Sequence, residues 1–162
     1  MRRFVLAAFV LSVFAACQPA TTELTEEQKA AIAAEVNALH TESMNAWEHA
    51  EFDRGMSYFR NSPEFIIAND GNLFVGYDVA YDAFQPAFDN IEGQTFRTIE
   101  SHTTVLAPNV VSVMYKGTWI EHYTTGEDGP ETTFAFNTIW VRQNGDWKVN
   151  FAHQSTPNTE SP

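Results

Sequence analysis

The sequence predicts one α+β domain: a curved antiparallel sheet forming a cone around a long N-terminal helix, with two shorter helices. Three observations predict it. Apolar residues recur at helical spacing through the first part of the domain, before any long β-prone run. From Gln94 onward the chain is β-prone almost without interruption. Its last two strands are joined by Asn144-Gly145, which supplies the φ > 0 residues of a tight hairpin. Helices first and consecutive strands afterwards make an α+β order.

Each element has its own signal. Thr25-Glu26-Glu27-Gln28 fits a capping box, and its acids suit the positive end of a helix dipole. Ile32, Val36, Leu39, Ser43, Ala46, Trp47 and Ala50 then define one face of a helix over 26–50. His40 and His49 fall on its exposed side. Asp53 is the expected N-cap of a short second helix carrying Met56, Tyr58 and Phe59, and Asn61-Ser62-Pro63 ends it. A strand over 64–68, a turn at Asn69-Asp70-Gly71-Asn72 and a return over 73–75 form a small hairpin. Tyr77, Tyr81, Phe84 and Phe88 read as a third helix that Pro86 should kink or end near Phe84. Strands follow over 95–106 and 110–123, then a polar loop over 124–130. The closing hairpin pairs 132–141 with 147–155.

Parity assigns the strand faces. On the second long strand, odd residues from Val111 to Glu121 share a face, with Tyr115 and Trp119 directed inward. On the next strand Asn137 and Ile139 are expected inward. Phe134, Phe136 and Trp140 are then left outside, an aromatic patch that predicts a sheet-to-sheet homodimer. On the last strand Trp147, Val149, Phe151, His153 and Ser155 share a face, so polar groups arrive where the strand leaves the core.

The first 17 residues read differently. Arg2 and Arg3 precede an apolar run over 4–16, too short to span a bilayer and shaped like a secretory signal. Phe14-Ala15-Ala16-Cys17 resembles the bacterial lipobox, which implies cleavage before Cys17 and its lipidation. Gln18, rather than aspartate, after the cysteine favours the periplasmic side of the outer membrane. The expected organisation is a signal over 1–17, a tether over 18–23, the domain over 24–155 and a loose tail over 156–162. Cys17 is the only cysteine, so no disulfide can form within the chain. The formal net charge of −12 would repel phosphate backbones, and nucleic acid is not an expected partner. The membrane would be reached through the lipid anchor instead.

The order of elements resembles the nuclear transport factor two-like superfamily, also called the ketosteroid isomerase or SnoaL-like fold. The resemblance covers about residues 24–155. It is carried most specifically by the run from Ile139 to Val149, with Asn144-Gly145 and Trp147, followed by Ala152-His153-Gln154-Ser155. Phe52-Asp53 leading to Tyr58-Phe59 also resembles the family's second helix. The fold hosts isomerases, dehydratases, cyclases and non-catalytic binders, so it does not choose a function.

A ketosteroid isomerase site would need an aspartate near Ile67 or Ala68, a phenol near Ser43 and a second acid near Ile139; none is present. Asp70 is close by but belongs to a turn that favours Asp for local reasons. A scytalone dehydratase-like scheme uses two strand histidines, for which His102 and His153 are the candidates, able to move protons near neutral pH. Trp47, Phe65, Tyr115, Trp119 and Asn137 are the expected cavity wall. No metal-ligand spacing, nucleophile elbow or phosphate loop occurs, and no cofactor is expected. Two main readings follow: a binder of a small apolar or amphipathic molecule without assigned catalysis, or a cofactor-free lyase or isomerase using histidine. A protein-interaction module is a third.

Overall fold

A computed structural model describes residues 23–157. The signal, Cys17, all of the tether except Glu23, and tail residues 158–162 lie outside the described residues. Helix α1 (Glu26–Glu48) opens on the expected capping box. The Thr25 hydroxyl accepts from the Gln28 backbone at 3.2 Å, and the Gln28 side chain accepts from the Thr25 backbone at 2.9 Å. Helix α2 (Phe52–Met56) starts one residue before the expected cap. Asp53 lies in its first turn and accepts a 2.5 Å bond from the Tyr81 hydroxyl. Helix α3 (Tyr77–Phe88) continues past Phe84 to Phe88 with Pro86 inside it. Pro86 falls in the last turn, where its missing donor leaves an exposed carbonyl that water can satisfy.

The strands are β1 (Ile66–Asn69), β2 (Asn72–Val75), β3 (Ile91–Ala107), β4 (Val110–Tyr123), β5 (Thr132–Gln143) and β6 (Asp146–Ser155). They form one six-stranded sheet in the order β2-β1-β6-β5-β4-β3. All neighbours are antiparallel except β1 and β6, which run parallel, with Ile66 opposite Phe151 and Asn69 opposite Gln154. Both tight turns have the expected backbone: φ is +44° at Asp70, +84° at Gly71, +55° at Asn144 and +95° at Gly145. Asp70 has a structural partner as well, accepting from the Thr156 backbone at 2.7 Å.

The sheet bends around α1, and the core fills the concave side. Val36 on α1 meets Phe65, Val111, Val113, Trp140 and Val149, all with almost no exposed surface. The Trp140 indole donates to the Thr138 hydroxyl at 3.0 Å, so the ring is buried with its donor satisfied.

The β4 faces follow parity as expected. Those of β5 do not: Phe134 and Trp140 are buried and Phe136 faces the interior, while the Asn137 amide donates to Ser112 on the outer face at 3.0 Å. The inward set is therefore even-numbered. The aromatic outer patch that argued for a sheet-to-sheet dimer consists of interior rings.

Candidate functional site

Between α1 and the concave sheet lies a cavity of about 250 Å³. Helix α1 contributes His40, Ser43, Met44 and Trp47, a set at three- and four-residue spacing along one face. Helices α2 and α3 close it with Phe52 and Phe88, which pack on each other and on Trp47 with ring centroids 5.0 to 6.0 Å apart. The strands bring Phe65 and Ile67 from β1 and its approach, Gln94 and Phe96 from β3, and Tyr115, Trp119 and Glu121 from β4. Phe134, Phe136, Thr138 and Trp140 of β5 and Val149 and Gln154 of β6 complete the wall.

Trp47, Phe65, Tyr115 and Trp119 thus reach the cavity predicted for them, and Asn137 does not. Neither predicted proton carrier lines it. His102 is exposed and bonded to Glu100 at 2.7 Å; His153 is exposed on the outer face opposite Asn137. A β-bulge accounts for each. The register moves by one between Thr98 and Glu100 on β3, and Asn150 on β6 is skipped where Ile139 pairs with Phe151 and Trp140 with Val149. An extra residue reverses the parity of all that follows. After Ile99 the inward residues of β3 include Ser101 and Thr103, and after Asn150 those of β6 are Ala152 and Gln154. Arg60 secures the second bulge, donating to the Asn150 side chain and to the Val149 carbonyl, both at 2.8 Å.

The histidine in the wall is His40, expected on the exposed side of α1. It lies four residues after Val36 and three before Ser43, within the buried stripe, and that spacing was its available signal. Its ring packs at 5.1 Å from Tyr115, and burial pushes its imidazole down to about 4, so it is neutral at ordinary pH. Burial also holds the Tyr115 phenol well above its usual range. That hydroxyl points at the Met44 sulfur, 3.1 Å away. The positions that a ketosteroid isomerase would use remain without acids: Ser43 and Ile67 line the cavity, and Ile139 pairs with Phe151 among the outward residues. The chemistry on offer is a large apolar volume, an uncharged imidazole and phenol at one side, and a few amides and one carboxylate at the rim.

The fold is shared widely. An NTF2-like superfamily protein from Salmonella enterica serovar Typhimurium is 15% identical, with 82% of this chain and 95% of that chain covered at a TM-score of 0.69. A type 2 hexachlorocyclohexane dehydrochlorinase (LinA) is 10% identical, with 82% and 89% covered at 0.65. The association domain of C. elegans CaMKII is 13% identical, with 80% and 99% covered at 0.63. At these identities the likeness is one of fold. No curated protein sequence matches the chain. A family model for the SnoaL-like domain does match, over residues 36–159, and with the helix-filled cone and its cavity it places the chain in the SnoaL-like domain family.

Proposed function

We propose that the chain binds a small apolar or amphipathic molecule in this cavity, with no catalysis assigned, as an exported protein anchored by lipid at Cys17 on the periplasmic side of the outer membrane. The observation that carries the binding reading is the ring-lined cavity of about 250 Å³. Aromatic and aliphatic surface that is pre-formed and concave, with a few convergent polar groups, is what small-molecule sites are made of. The anchor rests on the signal-like run and on Cys17 after Ala15-Ala16.

The test uses the chain from Gln18, which keeps every described element. Titration with 4-phenylbutanol, followed by tryptophan emission, to which the cavity residues Trp47, Trp119 and Trp140 contribute, should saturate in the millimolar range or tighter. Ala80 lines the cavity from α3 and is buried. Ala80→Leu should fill part of the volume and weaken binding about tenfold, since close-packed walls do not easily make room. A linear, unsaturable signal, or a folded Ala80→Leu variant that binds as well as the parent, would defeat the reading.

A cofactor-free lyase or isomerase is the second reading, and one observation favours it. His40 brings an imidazole to the cavity wall beside Tyr115. It replaces His102 and His153 as the group on which that reading depends.

A further inference from the structure

We infer that the molecule held in the cavity is an organic cation: an amine or ammonium group carried on an apolar body. This rests on the binding reading above and adds the ligand's charge. Among the described residues that line the cavity, Glu121 is the one carboxylate, and no lysine or arginine joins it. It is the last cavity-lining residue of β4, half-buried, with its backbone carbonyl fixed by the Gly129 amide at 2.8 Å. One carboxylate oxygen accepts from the Tyr123 hydroxyl at 2.8 Å. Among the described residues no cation pairs with Glu121. The adjacent His122 cannot serve, because its ring is engaged elsewhere, by Thr95 at 2.8 Å and Asp128 at 2.7 Å. His40, the imidazole of the wall, is kept neutral by its burial.

The surroundings of Glu121 are rings. Trp119 lies two residues away on the same strand face, and Phe134 packs against it at 5.0 Å and against Phe96 at 6.1 Å. Gln94, opposite Glu121 on β3, adds an amide to the same rim. Aromatic faces carry partial negative charge and attract cations, most strongly where water is excluded. A carboxylate beside them supplies a charged hydrogen-bond acceptor. An apolar anion would meet the reverse: a like charge at the rim, no compensating base in the wall, and a chain of net charge −12.

The test is a charge series on one apolar body, at neutral pH, with the chain from Gln18: 4-phenylbutylamine, 4-phenylbutanol and 4-phenylbutyrate. The amine should bind about tenfold tighter than the alcohol, as expected for a charge-assisted bond plus ring contacts, and the carboxylate should bind weakest. In Glu121→Gln the ratio of amine to alcohol affinity should fall to about one. An amine that binds no better than the alcohol in the parent chain overturns the inference and leaves the binding reading standing. So does an amine preference that survives Glu121→Gln, since the acidic surface as a whole would then be its source. If the alcohol does not bind saturably, the binding reading fails and takes this inference with it.

Discussion

His40 combines a titratable ring with an apolar setting, and the sign of its pH effect follows from that. Its folded value, about 4, lies below the ordinary 6.5. Between the two the unfolded chain binds the proton and the folded chain does not, so stability falls as pH drops from about 6.5 towards 4 and is flat above. The upper limit of that loss is roughly 3 kcal/mol, reduced in practice because the ring is only half-buried. Urea denaturation at pH 7.5 and pH 4.5 should show it, and in His40→Phe the pH dependence should shrink. A His40→Phe variant with the parent's full dependence would assign the loss to other groups. At this scale the sequence was legible where burial and spacing agreed. Trp47, Phe65, Tyr115 and Trp119 sit in predictable stripes. His40 was missed because a histidine on an acidic helix looks like surface, although its spacing matched Val36 and Ser43.

Strand faces were legible only where the ladder is regular. On β4, which has no insertion of its own, parity placed Tyr115, Trp119 and Glu121 correctly. The β5 run is apolar on both faces, so alternation alone does not show that its even-numbered residues face inward, and the assignment came out reversed. On β3 and β6 the extra residues Ile99 and Asn150 look like any other strand residue, because a bulge is made by the partner's register, not by its own side chain. Close approach between strands can be tested directly at Gly117. A Cβ built there would stand 2.5 Å from the Arg97 carbonyl oxygen on β3, a backbone atom that cannot swing aside. Gly117→Ala should cost about 1–3 kcal/mol by forcing the β3–β4 pair apart. Thermal unfolding should register it, and a variant as stable as the parent would mean that the strands have room to separate.

For the molecule as a whole, the α+β order could be read from the chain, because helical and strand periods occupy separate stretches of it. The parallel joint between β1 and β6 could not, since neither segment carries a mark of its distant partner. The proposed anchoring also belongs to this scale. On that proposal one thiol decides whether the chain is held or free, and stable anchoring by acyl chains needs more than one of them. Cys17→Ser should abolish incorporation of labelled palmitate in a bacterial host. Label incorporated without Cys17, or a parent chain that takes up none, would refute the lipoprotein assignment.

The β1–β6 joint has a kinetic side. The hairpin of β1 and β2 touches the rest of the sheet only through β6, whose paired residues come 85 positions later in the chain. Pairing across such a separation carries a loop-closure cost that local pairs do not. Val149 and Gln154 of β6 line the cavity, so a chain that loses its C-terminal strand loses the wall, not merely the end.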